Sequence, residues 1–345
     1  MDAPPERTDA AAPAHRRDDG RFRNPWPGTP RHGFLQFLRW AFSRRKLEAL
    51  LERRDPHLFP VRVPAFPSPR AGAGELHVTW IGHATTLVQL GSVNVLTDPM
   101  WSRRASPVPF LGPRRWVHPP VRLDGLPPID AVVVSHDHYD HLDAPTVRAL
   151  ARFHPEAVWL APTGVGALLE GWGVEDAREL DWWEGTVVRT GGGPLRATCT
   201  PARHFASRGL LDRNRRLWCG WALEGGGRRA FFAGDTGYHP SFAAIGGRLG
   251  PFDAAILPIG AYEPRWFMRP VHMTPEEAVQ AWRELARGGA APDAPILVPI
   301  HWGTFRLTDE SMDEPPRRLR AAWTASGAGD GPTLLEHGGT ASLLP

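Results

Sequence analysis

The segment SHDHYDHLD, residues 135–143, holds four side chains able to ligate a metal: His136, His138, Asp140 and His141. It directly follows DAVVVS, a nearly continuous apolar run of the kind expected of a strand buried on both faces. Alternation places His136 and His138 on one side of an extended turn, leaving Asp140 and His141 to face a second point nearby. Imidazole and carboxylate ligands suit Zn²⁺, which takes nitrogen and oxygen donors at about 2.0–2.2 Å. An exposed polar loop is the plain alternative, but such a loop has no need of three histidines at this spacing.

One loop cannot complete two metal sites, so further ligands are expected at other strand ends. TPARHF follows the strand LRATCT and offers His204, FFAGDTG follows a hairpin strand and offers Asp235, and VPIHWGT offers His301. Each is an apolar strand ending in one ligand-type residue. Taken singly, His204 or His301 reads as a structural histidine; taken with the loop, the repeated construction reads as one ligand set.

The elements that must position these residues are visible in pattern. ELHVTW, ATTLVQL and VNVLTDP read as strands separated by Gly82–His83 and Gly91–Ser92, and a hairpin turns around 225–227. Asp143, Ala144 and Pro145 open a helix with an N-cap candidate and an early proline. Thr274, Pro275 and Glu277 form a capping box that starts a helix running to about Arg287. Strand clusters with interspersed helices and no linker-like break make 75–345 one α/β domain of two packed sheets with helices outside. Ahead of it, residues 1–25 are polar and aperiodic and are expected to be a disordered tail. Residues 26–74 hold a basic amphipathic helix and a proline-rich connector. Phe34, Leu35, Leu38, Ala41 and Phe42 share one face of that helix, beside Arg44, Arg45 and Lys46.

Composition narrows the class. A hydrophobic content of 42% with 22% charged residues fits a globular protein, and no run of about 18 apolar residues exists to cross a membrane. Two cysteines, Cys199 and Cys219, exclude a disulfide framework and a cysteine-based metal site. Residues 1–46 carry 10 Lys+Arg against 5 Asp+Glu, and the rest carries 30 against 32. The positive character therefore belongs to the N-terminal segment, and no nucleic-acid partner is expected. The first 20 residues lack the apolar core of a secretory signal. The expected location is the cytoplasm, with peripheral attachment to the inner membrane face through residues 34–46. Packing of that helix on the body, or a homodimer interface, is the alternative.

His-x-His-x-Asp-His with the later His, Asp and His resembles the metallo-β-lactamase superfamily. More narrowly, NPWP (24–27), WIGHATTLV (80–88), LTDPMWSRRASP (96–107), GPRRW (112–116), LPIGAYEPRWFM (257–268) and HWGTF (301–305) resemble the N-acylphosphatidylethanolamine-hydrolysing phospholipases D. The likeness spans roughly residues 24 to 310 and implies an αββα sandwich binding two Zn²⁺ per chain. His136, His138 and His204 would hold one ion, Asp140, His141 and His301 the other, and Asp235 would bridge. The implied activity is a zinc phosphodiesterase that releases an N-acylethanolamine and phosphatidic acid by attack of a metal-activated hydroxide on phosphorus. Asp140 is a candidate to take the proton of that water. His272, in RPVHMTP, is a candidate to bind phosphate or to protonate the leaving group. Arg265 and Arg269 are candidate phosphate contacts, or simply solvated. His83 reads either as a group near the metals or as a strand-turn residue, and Asp98 as a turn-former. A lactonase or soluble phosphodiesterase of the same fold is the second reading, and a non-catalytic metal-stabilised membrane-binding protein the third.

Overall fold

A computed structural model describes residues 6–7, 15–26, 36, 39–40, 42–43, 55, 58–209, 211–286 and 294–345. Two seven-stranded sheets form the body. One contains β2 (Leu76–Gly82), β3 (Thr85–Leu90), β4 (Val93–Thr97), β5 (Ala131–Val133), β6 (Val158–Pro162) and β7 (Ala177–Leu180) in chain order. Its far edge is β14 (Thr340–Leu343), beside β2. The other runs β1 (Glu6–Arg7), β8 (Glu184–Thr190), β9 (Gly193–Thr200), β10 (Gly220–Gly225), β11 (Arg228–Phe232), β12 (Ala254–Pro258) and β13 (Ile296–Ile300). Each sheet is antiparallel at its start and parallel at its end: β4 to β7 are parallel, as are β11 to β13. Parallel neighbours point their C-terminal ends the same way, and this edge carries the chemistry.

The helices are α1 (Ala144–Phe153), α2 (Gly166–Gly171), α3 (Ser241–Leu249), α4 (Arg265–Met268), α5 (Pro275–Ala286) and α6 (Glu314–Ser326). The apolar run DAVVVS behaves as a strand covered on both faces. Ala131 and Val133 join the large core between the sheets, with Trp80, Val88, Val95 and Trp221. Val132 and Val134 face the opposite way, into a second core under α1 with Leu142, Val147, Leu150 and Trp159. The capping box at α5 forms as expected. The Thr274 N–H donates to Glu277 at 2.9 Å and the Glu277 N–H to the Thr274 hydroxyl at 3.2 Å. At α1 the expected N-cap Asp143 makes no capping bond. Its carboxylate instead accepts from the Thr146 hydroxyl and, at 3.2 Å, from the Ser102 N–H.

The N-terminal expectations need revision where the chain is described. Residues 15–26 are a strap on the body, although disorder was expected to residue 25. The His15 ring meets Asp181 at 2.7 Å and stacks on Trp182, Phe22 is buried, and Trp26 stacks on His239 at 4.6 Å. The physical reason is aromatic: three ring side chains in an otherwise polar stretch bury enough surface to offset the ordering of the backbone. Of the apolar face expected at 34–46, only Phe42 lies among the described residues, and it is exposed. Trp40 turns inward, stacks on Phe267 and donates from Nε1 to Asp309 at 3.0 Å. No helix among the described residues is long and apolar enough to cross a membrane.

Candidate metal centre

Four strand ends deliver the expected ligands to one place. His136, His138, Asp140 and His141 leave β5, His204 follows β9, Asp235 follows β11 and His301 follows β13. Gly234 permits one of these close approaches. Its φ is +58°, and a Cβ there would stand 2.4 Å from the Ser135 Cβ. A side chain at 234 would thus push Asp235 away from the 135–141 loop.

The side chains gather into two adjoining groups. In the first, the His136 Nε2 lies 2.8 Å from His138 Nδ1, and the His204 Nε2 lies 3.2 Å from the same atom. In the second, the His301 Nε2 is 3.5 Å and the His141 Nε2 3.4 Å from Asp140 Oδ2. Asp235 stands between the groups. Its Oδ2 is 3.1 Å from His301 Nε2, 3.2 Å from His141 Nε2 and 3.9 Å from His204 Nε2. All seven expected ligands are therefore brought together.

The outer nitrogens set the tautomers. His204 Nδ1 donates to the Val271 carbonyl at 2.9 Å, His136 Nδ1 to the Ser135 hydroxyl at 2.8 Å, and His141 Nδ1 to Asp98 at 2.7 Å. In the neutral ring each inner Nε2 then keeps its lone pair toward the centre. In the first group three ring nitrogens converge while one proton at most is available among them. In the second, the buried His141 Nε2, His301 Nε2 and Asp235 Oδ1 have no hydrogen-bond partner. Buried polar atoms that converge without partners are costly unless a cation takes them. The donor set of imidazoles and carboxylates fits one divalent ion in each group.

Electrostatics separates the two groups. Burial drives the ring of His138 down to about 4 and that of His204 to about 3, and lowers His136 well below the ordinary histidine value. Burial acts the same way on His141 and His301, but the charges of Asp235 and Asp140 overcome it. His141 is raised well above the ordinary value and His301 to about 9. Burial disfavours the charged forms of Asp140 and Asp235, yet their histidine neighbours hold both carboxylates well below the usual range. The two carboxylates of the second group thus hold protons on His141 and His301, and a divalent cation would take the place of those protons.

His83, which the sequence leaves between two roles, and Asp98, read there as a turn-former, take defined places behind the ligands. His83 donates from Nε2 to Asp140 Oδ2 at 2.8 Å, and burial lowers it to about 3. Asp98 is fully buried and accepts from the Ser135 N–H, the Ser135 hydroxyl and His141. His83, Asp98 and His301 all have positive φ, of 56°, 33° and 64°. Such backbone, unfavourable for side-chain-bearing residues, persists where the surroundings force it and concentrates at functional sites. The strap contributes too: Asn24 donates from Nδ2 to the His204 carbonyl at 2.9 Å. Nothing in the sequence pattern marks that contact apart from the motif NPWP.

His272 lies at the mouth of the centre, with Nδ1 3.9 Å from Asp235 Oδ2 and its ring 5.1 Å from that of His204. Its side chain is 11% exposed and that of Asp140 14%, against 0–2% for His141, His204, Asp235 and His301. Solvent therefore reaches the centre from the side of Asp140 and His272. Arg265 does not face it as a free phosphate contact. Its Nη2 pairs with both carboxylate oxygens of Glu277 at 2.9 and 3.0 Å, and its Nη1 donates to the His272 carbonyl at 2.9 Å. Arg269 is exposed to solvent.

Comparison with known proteins places this geometry. The family model for the beta-lactamase superfamily domain matches residues 93–302. An uncharacterized protein of Mycobacterium tuberculosis is 49% identical over 255 residues, which are 73% of this chain and 65% of that protein, so the chain spans just under two thirds of that relative. N-acyl-phosphatidylethanolamine-hydrolyzing phospholipase D 1 of Caenorhabditis elegans is 44% identical over 252 residues, 71% of this chain and 69% of that protein. Among solved structures, a metallo hydrolase of the archaeon Ignicoccus hospitalis matches with a TM-score of 0.56 at 21% identity, covering 78% of this chain and 99% of that one. At that identity the likeness is one of fold.

Proposed function

The chain belongs to the beta-lactamase superfamily of metal-dependent hydrolases, and from that premise we propose that it is a binuclear zinc phosphodiesterase of phospholipase D type. Its substrate in this reading is N-acylphosphatidylethanolamine, and its products are an N-acylethanolamine and phosphatidic acid. The observation that carries the proposal is the double ligand group bridged by Asp235, in a chain 44% identical to a nematode enzyme named for that reaction. The open side of the centre at Asp140 and His272 supports a site that admits substrate, whereas structural zinc sites are closed.

His136, His138 and His204 would hold one ion and Asp140, His141 and His301 the other, with Asp235 within reach of both groups. When bound, the metal pair supplies Lewis acidity that makes water a usable nucleophile near neutral pH and offsets charge on phosphoryl oxygens. The protein's own groups do the rest. Asp140, fixed as the anion by its histidine neighbours, accepts a hydrogen bond from the attacking water and orients its lone pair toward phosphorus. His83 holds Asp140 in that rotamer. Burial lowers His272 to about 3, so its ring is neutral at pH 7. A neutral ring at the mouth suits donation of an N–H bond to a phosphoryl oxygen better than delivery of a stored proton. Arg265 acts one step removed, anchoring the His272 backbone to α5 through Glu277. The new bond joins water oxygen to phosphorus, the bond from phosphorus to the ethanolamine oxygen breaks, and that oxygen takes up the proton.

Peripheral attachment to the inner membrane face through residues 34–46 belongs to the same proposal, with Phe42 the described and exposed member of its apolar face. Hydrolysis of N-acylphosphatidylethanolamine in H₂¹⁸O tests the chemistry. The label is expected in phosphatidic acid; label in the N-acylethanolamine, or no turnover of this lipid beside cleavage of lactones or soluble phosphodiesters, would refute it.

A further inference from the structure

Residues 99–116 leave the end of β4 just beyond Asp98 and return beside the His301 segment. Their root is firmly held. The Trp116 N–H donates to the Thr304 carbonyl at 2.7 Å, and the buried Arg115 donates to the carbonyls of Ser102 and Met100 with its guanidinium 4.7 Å over the Phe305 ring. Between root and tip the chain is a narrow, tied hairpin. The Ala105 N–H donates to the Pro113 carbonyl at 3.0 Å, the Arg115 N–H to the Arg103 carbonyl at 2.9 Å, and Arg104 Nη1 to the Gly112 carbonyl at 2.6 Å. Gly112 has φ +92°, and a Cβ there would meet the Ser106 Cβ at 2.8 Å, so the turn is closed tightly.

This stiff hairpin presents Phe110 at 77% exposure and Leu111 at 67%, flanked by exposed Pro109 and Pro113. Below the tip stand Arg103, Arg104 and Arg114, and residues 99–123 contain no Asp or Glu. Two adjacent large apolar side chains held out on a proline-stiffened turn do nothing for the stability of the chain. An apolar tip over a cationic collar matches the two layers of an anionic bilayer surface, acyl boundary and headgroups. A two-fold contact between copies of this chain through the same tip would instead set two arginine collars against each other.

We infer that the 103–114 hairpin is an interfacial anchor. Phe110 and Leu111 enter the acyl boundary of an anionic membrane, and Arg103, Arg104 and Arg114 lie among its phosphates. The anchor is distinct from residues 34–46 and rests on the lipid-substrate reading only in its purpose. Because the hairpin roots between Asp98 and the His301 loop, it sets the metal centre at a fixed height from the surface from which a lipid headgroup must be drawn.

Co-sedimentation of the full chain with phosphatidylcholine vesicles, with and without phosphatidylglycerol, tests this. The variant carrying Phe110→Asp and Leu111→Asp is expected to partition at least about tenfold less than the wild type. It should keep its metal content and its turnover of a short-chain substrate below the micellar concentration. Wild-type binding should strengthen with phosphatidylglycerol and weaken with salt. Equal partitioning of variant and wild type, no binding by the wild type, or loss of a dimer with vesicle binding intact would each overturn the anchor. Should the double variant fail to fold, Phe110→Cys carrying an environment-sensitive dye replaces it: a blue shift on bound vesicles supports the anchor, and unchanged emission refutes it. Binding through the hairpin by a protein that never cleaves N-acylphosphatidylethanolamine would leave the anchor standing and remove the proposed activity.

Discussion

Asp98→Asn removes one charge from behind the metal centre while leaving the shape of the side chain almost unchanged. Both oxygens of Asp98 are used: bonds of 2.7 Å from the Ser135 N–H, 2.6 Å from the Ser135 hydroxyl and 2.7 Å from His141 Nδ1 converge on a fully buried carboxylate. Burial pushes this carboxyl up, and the bonds from His141 and Ser135 act against it. An amide offers one oxygen in place of two, so its NH₂ must face either the Ser135 backbone N–H or both the Ser135 hydroxyl and the His141 N–H. Either choice costs a charge-assisted hydrogen bond, about 1.5–3 kcal/mol. It also frees His141 to take the wrong tautomer. Spent on the ligand, that energy corresponds to roughly 10- to 100-fold weaker metal binding, the usual range when a group that orients a ligand is lost. Competition against a chromophoric chelator measures the affinity, and urea unfolding of the metal-free protein measures stability beside it. A change in affinity under about threefold, with stability reduced, would show that Asp98 only supports the fold.

Other expectations follow from single contacts. Asn24→Ala deletes the bond from the strap to the His204 carbonyl, so chelator competition should show about two- to tenfold weaker metal binding, against no change if the strap is passive. Gly234→Ala places a Cβ 2.4 Å from the Ser135 Cβ at φ +58°; we expect about 1–3 kcal/mol lower stability in urea melts together with lost metal, and a neutral result would contradict the packing described. Asp181 is partly desolvated, which raises its carboxyl, but His15 and Arg16 hold it below the usual range. A depressed folded pKa contributes stability above the unfolded value of about 3.9 that is lost as pH falls through the folded one. The difference in urea midpoint between wild type and Asp181→Asn should therefore be full at neutral pH and shrink in acid below that value, and a pH-independent difference would refute the assignment.

How much of this was legible in the sequence depends on what kind of signal each residue leaves. The seven ligand residues stand out because histidine is uncommon and four of them are packed into one loop, while the others each end an apolar strand. The two-sided burial of DAVVVS was readable from its lack of alternation. His83 stands between two roles in the sequence and Asp98 reads as a turn-former, because a turn histidine and a turn aspartate look alike whether or not they touch a ligand. Only their positive φ and their bonds to Asp140 and His141 separate the cases. The strap at 15–26 was hidden because its ordering rests on His15 meeting Trp182 and Trp26 meeting His239, residues more than 150 positions away, and on Phe22 joining the core. Arg265 looked available for phosphate because sequence order does not show that Glu277, the capping residue of α5, also claims its guanidinium. The hairpin tip falls between the two recognised motifs 96–107 and 112–116, and exposure of Phe110 and Leu111 is a property of the folded loop alone.

Zinc content and N-acylphosphatidylethanolamine turnover of one preparation, wild type beside Asp235→Ala, test the central claim most directly. Asp235 is the residue whose carboxylate reaches both ligand groups. The account predicts two zinc ions per wild-type chain, with substoichiometric metal and loss of phospholipid turnover in the variant. A wild-type chain that binds no metal, or a variant that keeps both ions and full turnover, would contradict it.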